Sequence, residues 1–379
     1  MPEIRKVVFI TGTRADYGKM KPLMQILEKS SRFDIHVFVC GMHLSKQFGS
    51  TYKEVLKDEY ANIHVAFGLL QSPDMSVNLG NTVSYLSGYI DNIDPDMIIV
   101  HGDRVDALAG AIVGALRNVR VGHIEGGELS GTVDESIRHA ISKFAHVHFV
   151  CTSEARDRLI QLGEEVSRIY VIGSPDIDVM MSDALPTLQE AKERYEIGFE
   201  NYGILMYHPV TTEYPQMAAK ARVVVDAVRE SGKNYIVIYP NNDLGSDFIL
   251  GEYDQLRDDP RFRLFPSVRF EFFLTLLKHA DFLIGNSSAG VRESGIYGVP
   301  AIDIGTRQQR RYDLSRARNI MHVNEEKSQI LGAIRNVESH RVETRFFGDG
   351  NSAVKFYDIL ENDVFWQVDI QKRFADFAF

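Results

Sequence analysis

Short apolar runs alternate along this chain with glycine-containing loops and helical patterns, and this alternation restricts the possible folds more than any other feature. Residues 7–11 form the first run, which is rich in β-branched and aromatic side chains, and residues 12–18 interrupt it. The runs at residues 35–40 and 98–100 are also followed by a glycine within two residues. Because alternating strands and helices build parallel sheets, we predict an α/β fold made of doubly wound sheets.

The length of the chain, 379 residues, exceeds what one ordinary hydrophobic core holds. A second strand–helix series begins near residue 204, after a polar segment that we interpret as a linker. We therefore predict an N-terminal Rossmann-like domain at residues 1–175 and a C-terminal one at residues 176–360. Residues 361–379 are predicted to form an amphipathic tail that packs back on the body.

Composition argues against several classes of partner. The net charge of −10 disfavours a surface that binds nucleic acid. No apolar run approaches the roughly 18 residues of a membrane-spanning helix, and the N-terminal sequence lacks the apolar core of a signal peptide. Cys40 and Cys151 lie in apolar runs, which predicts buried, reduced thiols. We therefore expect a cytoplasmic protein without a membrane or nucleic-acid partner.

Charged residues are densest in residues 122–146, which connect a predicted strand to a predicted helix. Thr132 and Glu135 have the spacing of a capping box, and Asp134 and Arg138 share a helical face because they are four apart. The charged and imidazole side chains at this connection are Glu125, Glu128, Asp134, Arg138, His123 and His139. Ligands bind at the carboxyl ends of strands in open parallel sheets, so this density predicts acid–base chemistry.

Several predicted strands end at a glycine, and polar side chains follow them. The resulting rim of the first sheet carries Arg14, His43, Asp103, Arg104 and Glu125. A single such residue is usually a loop residue with a local partner, but five on one rim favour a binding site. Arg14, with Lys19 about one turn further on, is the natural contact for a phosphate at the start of the first helix.

A second anion-binding loop is predicted in the C-terminal half. Residues 285–290, Gly-Asn-Ser-Ser-Ala-Gly, follow a strand and open a helix predicted to contain Arg292 and Glu293. Small residues with backbone N–H groups at a helix start can cradle an anion. Two doubly wound domains facing a central cleft, each with such a loop, indicate a diphosphate ligand. The Walker and Gly-x-Gly-x-x-Gly motifs of other nucleotide sites are absent from the sequence.

No metal site is predicted. Asp94-Pro95-Asp96 looks like a metal-binding Asp-x-Asp, but it precedes a strand on the opposite rim, where a plain turn is expected. His123 and Glu125 lack a cysteine pair or a second histidine at helical spacing beside them.

A set of loop motifs occurs in a defined order along the chain. They are residues 12–17 (Gly-Thr-Arg-Ala-Asp-Tyr), 101–104 (His-Gly-Asp-Arg), 123–128 (His-Ile-Glu-Gly-Gly-Glu), 208–210 (His-Pro-Val), 240–241 (Pro-Asn), 285–288 (Gly-Asn-Ser-Ser) and 305–307 (Gly-Thr-Arg). This set resembles the UDP-N-acetylglucosamine 2-epimerase family over nearly the whole chain. Residues 15–16, Arg104 and residues 126–128 resemble its hydrolysing branch in bacterial sialic-acid biosynthesis. The non-hydrolysing branch typically has Pro-Glu, Thr and Ala-Gly at the corresponding places.

The resemblance implies a glycosyltransferase-B-like fold with the active site in the interdomain cleft and the nucleotide on the C-terminal domain. It implies conversion of UDP-N-acetylglucosamine and water into N-acetylmannosamine and UDP. In this chemistry, elimination of UDP gives a 2-acetamidoglucal, and water then adds with the opposite configuration at carbon 2. No metal, nicotinamide or other cofactor is implied. Members are usually homodimers or homotetramers.

The resemblance also implies roles for individual residues. The catalytic candidates are Asp103, Glu125, Asp134 and His208, and the first three suit proton transfer. The candidates for binding the substrate are Arg14, Lys19, Arg104, Asn241, Val268, Phe270, Ser287, Ser288, Glu293 and Arg307. Glu293 would take the ribose hydroxyls, and the uracil would meet backbone near residues 268–270. Which carboxylate removes the proton stays open, and so do the roles of Glu128 and His139; His101 and His146 are expected to be structural.

Three other functions were weighed against the hydrolysing epimerase. A related enzyme acting on a 2,4-diacetamido sugar nucleotide, in a legionaminic-type pathway, would share most of these motifs. A glycosyltransferase of the same fold would need an acceptor site, for which the sequence gives no sign. A non-catalytic sensor of nucleotide sugars fits poorly with so many carboxylates. Release of free sugar and UDP without an acceptor would separate the epimerase from the transferase.

Overall fold

The protein divides into two compact units in a computed structural model, which describes residues 3–72, 74–130, 132–312, 314–315 and 317–376. Unit 1 comprises Met1–Glu128, Asp134–Met181 and Phe347–Phe379, and unit 2 comprises Leu129–Val133 and Ser182–Phe346. The sequence analysis assigned residues up to 360 to the second domain. In the structure the chain returns to unit 1 at Phe347, because the helix that follows packs there.

Each unit is built on one parallel sheet. The strands are β1 Arg5–Thr11, β2 Phe33–Val39, β3 Asn62–Val65, β4 Met97–His101, β5 Arg120–Ile124, β6 Val147–Val150, β7 Ile169–Val171, β8 Gly203–Met206, β9 Tyr235–Ile238, β10 Phe262–Phe265, β11 Phe282–Gly285, β12 Ala301–Ile304 and β13 Ile320–Val323. Unit 1 has the strand order β3-β2-β1-β4-β5-β6-β7, and unit 2 has β10-β9-β8-β11-β12-β13. The order reverses between β1 and β4 in unit 1 and between β8 and β11 in unit 2, where ligands of such sheets bind.

Helices connect consecutive strands. They are α1 Arg14–Glu28, α2 Tyr52–Val55, α3 Met75–Ile93, α4 Val105–Leu116, α5 Val133–Phe144, α6 Ser153–Gln161, α7 Pro175–Met180, α8 Leu188–Arg194, α9 Met217–Glu230, α10 Ser246–Tyr253, α11 Phe270–Lys278, α12 Ala289–Arg292, α13 Lys327–Arg335 and α14 Ser352–Glu361. Short 3-10 turns supplement them. Among the described helices, none combines the length and apolar character needed to cross a membrane.

The strands are apolar because both faces of each sheet are covered. Along β1, Val7 and Phe9 belong to one buried cluster, and Val8 and Ile10 belong to the cluster on the other face. A strand buried on both faces needs a continuous apolar run, which is how β1 was found in the sequence. The two cysteines are buried and not bonded to each other, as predicted.

The first loop is shorter than its sequence predicts. We expected residues 12–18 to form the loop that interrupts the first apolar run, but α1 begins at Arg14. Thr13 is its N-cap, and the Thr13 and Asp16 side chains form a reciprocal capping box. A Thr-x-x-Asp capping box therefore starts the helix two residues after β1 and leaves Gly12 and Thr13 as the whole connection.

The C-terminal part of the chain belongs to the core of unit 1. Phe356 and Leu360 of α14, together with Phe365 and Trp366, join the cluster that covers one face of the first sheet. The indole N–H of Trp366 donates to the Leu360 carbonyl at 2.8 Å. These four residues are therefore core residues, whereas Ile370 and Phe374 further along are exposed.

Candidate active site

The loop after β1 is held by a buried polar network. The Asp16 carboxylate accepts hydrogen bonds from the Thr11 hydroxyl at 2.6 Å and from the Gly12 backbone N–H at 3.1 Å. His43 Nε2 lies 2.9 Å from the same hydroxyl, and His43 Nδ1 lies 2.7 Å from the Thr51 hydroxyl. Burial lowers the pKa of His43 to about 4, so its ring is neutral at pH 7. The loop is thus ordered by internal partners, and Asp16 and His43 support it.

Arg14, predicted to contact a phosphate, is held by a carboxylate. Its guanidinium Nη2 donates to Glu54 Oε1 at 2.6 Å. Glu54 lies on the short helix α2, which the sequence analysis did not predict. A phosphate at Arg14 would share the guanidinium with Glu54.

A buried lysine and two carboxylates meet at the ends of β5 and β7. Lys19 Nζ, on α1, lies 3.6 Å from Glu125 Oε1 and 3.3 Å from Asp176 Oδ2. His101 Nε2, at the end of β4, is 3.0 Å from Glu125 Oε1. Lys19 was predicted to contact a phosphate, and only the packing of α1 brings it to Glu125. Asp176, in the first turn of α7, was not predicted as a site residue, although Gly173-Ser174 follows β7 as the other site loops follow their strands.

Glu125 adopts an uncommon backbone conformation. Its φ is +63°, in the left-handed region, which residues other than glycine and asparagine seldom adopt. Its backbone N–H donates to the Phe149 carbonyl at 3.1 Å. Such a conformation costs about 1–3 kcal/mol and clusters at functional sites. The residue with this conformation is the one whose carboxylate lies against His101 and Lys19.

Arg138 is the central cation of a second charged group. It is fully buried on α5, hydrogen-bonds the Asp103 carboxylate, and donates to the Glu128 carbonyl at 3.2 Å. Burial alone would lower its pKa, but Asp103, Glu128 and neighbouring carboxylates outweigh burial and raise it. Arg138 therefore stays charged beside Asp103. Asp134, one turn earlier on α5, is also buried.

Unit 2 presents a counterpart built around Asn286. The Asn286 amide accepts from the His208 backbone N–H at 2.7 Å and donates to the His208 carbonyl at 2.9 Å. The Asn241 backbone N–H donates to His208 Nδ1 at 3.0 Å, so Nδ1 is an acceptor and Nε2 carries the ring proton. Arg307 and Gln308 donate to the Asn286 carbonyl at 3.3 Å and 2.8 Å. The loops after β8 and β12 therefore meet Asn286 in the loop after β11, and the loop after β9 joins them through His208.

Other predicted residues of unit 2 lie in or beside these loops. Ser287 is buried, and its hydroxyl accepts from the Ala289 N–H at 3.3 Å. Val268 and Phe270 are buried at the start of α11. The helix expected to contain Arg292 and Glu293 includes only Arg292, because α12 is a single turn that begins after Ser288 and ends at Arg292. Glu293 follows it and is buried.

Within the described parts of the chain, no group of three His, Cys, Asp or Glu side chains is arranged to hold a metal ion. Asp94 and Asp96 have structural roles. Asp94 ends α3 with a φ of +51°, and Asp96 accepts from Arg5 at 3.0 Å and from the Lys6 N–H at 2.9 Å. The predicted turn at this place is confirmed.

Comparison with known proteins connects this geometry to a family. Residues 25–361 match the family model for UDP-N-acetylglucosamine 2-epimerase. A UDP-N-acetylglucosamine 2-epimerase of Neisseria meningitidis is 48% identical over 98% of this chain and 99% of that protein. A UDP-N,N'-diacetylbacillosamine 2-epimerase (hydrolyzing) of Legionella pneumophila is 32% identical over 94% of this chain and 96% of that protein.

Solved structures establish the fold. The Methanocaldococcus jannaschii UDP-GlcNAc 2-epimerase in complex with UDP-GlcNAc and UDP has a TM-score of 0.79 at 20% identity, covering 94% of this chain and 99% of that one. UDP-GlcNAc 2-epimerase from Neisseria meningitidis bound to UDP-GlcNAc has a TM-score of 0.76 at 17% identity, covering 94% of this chain and 100% of that one. The prediction of two doubly wound Rossmann-like domains is confirmed. Given the family match and the 48% identical relative, this chain belongs to the UDP-N-acetylglucosamine 2-epimerase family.

Proposed function

We propose that this chain is a hydrolysing 2-epimerase that converts UDP-N-acetylglucosamine and water into N-acetylmannosamine and UDP, the first step of sialic-acid synthesis. The observation that carries the proposal is the strained, buried Glu125 with His101 and Lys19 against it, in the same unit as the Asp103–Arg138 pair. Such a concentration of paired, buried carboxylates is typical of proton transfer. The 48% identical Neisseria meningitidis relative supports the choice of substrate.

The reaction needs proton transfer at carbon 2 and a stabilised leaving group. The carbon-2 proton becomes labile only when the bond from carbon 1 to the glycosyl oxygen breaks early. UDP then leaves with the electron pair of that bond, a carboxylate takes the proton, and a 2-acetamidoglucal forms. Water next adds its oxygen to carbon 1, and a proton reaches carbon 2 from the opposite face. The product is N-acetylmannosamine.

We assign the proton transfers to unit 1. Asp103, Glu125 and Asp134 are the acid–base candidates, because Arg138 and Lys19 give them cationic neighbours that favour ionised carboxylates. Lys19, Arg14 and Arg104 are assigned to the substrate's charged groups.

We assign UDP binding to unit 2. His208 is oriented by Asn241 and Asn286 so that Nε2 carries its ring proton, which suits donation to the departing diphosphate. Ser287, Ser288 and Arg307 supply further donors, Glu293 takes the ribose hydroxyls, and Val268 and Phe270 flank the uracil.

The enzyme is proposed to need no metal or other cofactor, and to act in the cytoplasm as a homodimer or homotetramer. Size-exclusion chromatography with light scattering tests the assembly. Turnover after dialysis against a chelator tests the metal requirement, and we expect it to be unchanged.

One alternative has a specific observation in its favour. The 32% identical Legionella pneumophila relative is named for a 2,4-diacetamido sugar nucleotide. A hydrolysing epimerase of that substrate would use the same unit 1 chemistry. Parallel assays with both UDP-sugars separate the two.

The deciding experiment is a reaction with UDP-N-acetylglucosamine in deuterium oxide, without added metal, followed by proton NMR. We expect UDP and free N-acetylmannosamine carrying deuterium at carbon 2. An intact substrate would favour the diacetamido sugar. A UDP-linked epimer without free sugar would contradict the hydrolysing assignment.

A further inference from the structure

Residues 365–376, here called the C-terminal strap, are tied by hydrogen bonds to unit 1. The Arg120 guanidinium donates to the Trp366 carbonyl at 2.8 Å, and His146 Nε2 lies 2.9 Å from the Ile370 carbonyl. Further along, the Ala375 N–H donates to the Gly163 carbonyl at 2.9 Å. The strap is therefore fixed at several points.

Lys372 of the strap caps α5. Its Nζ donates to the Ser142 carbonyl at 2.7 Å and to the Ala145 carbonyl at 2.6 Å, and it lies 2.5 Å from Glu164 Oε2. Carbonyls at the end of a helix lack intrahelical partners and carry partial negative charge, so a cation there stabilises the helix end. Glu164 also accepts from Lys143 and contacts the buried His148. A residue 230 positions away in sequence thus completes α5.

The capped end of α5 is connected to the loop that carries Asp103. The Ser142 hydroxyl is 3.0 Å from His123 Nδ1, and His123 Nε2 is 2.8 Å from the Gly102 carbonyl. Burial lowers the pKa of His123 to about 3, so the ring is neutral; Nε2 donates to Gly102, and Nδ1 accepts from Ser142. Arg138 of α5 holds Asp103 from the other side. The helix and the loop are therefore joined twice.

We propose that Lys372 is a positioning residue for the acid–base groups of unit 1. By holding the Ser142 and Ala145 carbonyls, it sets where α5 lies against the loop that carries Asp103. It thereby places Asp134, Arg138 and the Ser142–His123–Gly102 contacts. The inference rests on the proposed function, because α5 carries groups assigned to proton transfer. Displacements of about 1 Å in such groups lower rates by about 100-fold.

The test compares Lys372→Met with two further variants. Methionine keeps the length and apolar part of the side chain but removes the ammonium, whereas Lys372→Arg keeps a cation that can donate to both carbonyls. Arg373→Met is the matched control, because Arg373 is an exposed cation next to Lys372 on the same strap. For Lys372→Met we expect kcat to fall about tenfold to 100-fold while KM stays within about twofold. Lys372→Arg should recover most of the loss, and Arg373→Met should match the parent.

Two measurements keep the outcomes apart. UDP affinity by calorimetry shows whether unit 2 is intact, and a parent-like unfolding transition followed by Trp366 fluorescence shows that unit 1 is folded. Hydrogen exchange of the last amides of α5 reports the cap without any turnover, and we expect it to be faster in Lys372→Met. Unchanged kcat, with or without faster exchange, would overturn the positioning role, and so would equal losses of UDP binding and turnover. If the parent protein shows no turnover on either UDP-sugar, the proposed function fails, whereas the exchange result still tests the cap.

Discussion

The two units have the same strand order through their first six strands but opposite chemistry at the point where that order reverses. Unit 1 gathers buried ionised groups there, with Lys19, Glu125 and the Asp103–Arg138 pair. Unit 2 gathers hydrogen-bonding groups around Asn286 and His208, with Arg307 as the cation that donates to the Asn286 carbonyl. A shared scaffold therefore determines where a ligand can bind, and the loop residues determine what happens to it.

The difference also concerns energetics. Buried charges are costly unless they are paired, and Glu125 and Asp103 each meet a cation from another element, Lys19 from α1 and Arg138 from α5. Unit 2 pairs the His208 backbone groups with the neutral Asn286 amide, which needs no cation from another element. We infer that unit 1 is organised for changes in protonation and unit 2 for holding a ligand of constant charge.

The largest expected effect comes from neutralising a unit 1 carboxylate. Glu125→Gln should lower kcat about 100- to 10,000-fold, because an amide cannot take or return a proton. UDP affinity, measured by calorimetry, should stay within a few-fold, since UDP is assigned to unit 2. Asp103→Asn and Asp134→Asn should behave alike. Glu190→Gln, an exposed acid of unit 2, is the control. Loss of UDP binding in all three variants would contradict the assignment of proton transfer to unit 1 and UDP binding to unit 2.

The corresponding change in unit 2 should have the opposite signature. Asn286→Ala removes the two hydrogen bonds to the His208 backbone, and unpaired buried groups cost about 1–3 kcal/mol. UDP affinity should therefore fall about tenfold to 100-fold, with a smaller change in kcat at saturating substrate. Asn336→Ala, at an exposed asparagine of the same unit, is the control. A parent-like UDP affinity would refute this division of roles.

The smallest expected effect is a difference in acid stability. Burial lowers the pKa of His123 to about 3 and those of His43 and His146 to about 4. These residues bind protons only on unfolding, so unit 1 should lose stability as pH falls below 6.5, by about 1.4 kcal/mol per pH unit for each histidine. Asp106 acts in the opposite sense, because burial raises its pKa to about 6 and it gains a proton in the folded state.

Trp366 makes this prediction measurable. It is the single tryptophan of the chain and lies in unit 1. Its fluorescence should report a lower unfolding temperature at pH 5.5 than at pH 7, by a few degrees. Hydrogen exchange of the unit 2 strands should change less. Equal acid sensitivity in both units would show that the buried histidines do not dominate.

Sequence patterns predicted the buried strands well and missed two of the four strands at sheet edges. β1 and β11 were found because strands covered on both faces need unbroken apolar runs. β3 and β13 were not predicted, and both lie at sheet edges with mostly half-buried residues. The pattern of an edge strand is weak, because one side of its backbone and much of its surface face away from the core.

For the candidate site, the sequence determined which chemistry each strand end offers. Glu125 and Asp103 follow strands, Asp134 and Arg138 share one face of α5, and the ordered motifs resemble one family. Only the tertiary structure decided which charges meet. Lys19 reaches Glu125 and Asp176, Glu54 holds Arg14, and Lys372 caps α5, all across long stretches of chain. Local patterns report the backbone within a few residues, whereas ion pairs between distant segments depend on how helices pack on the sheet.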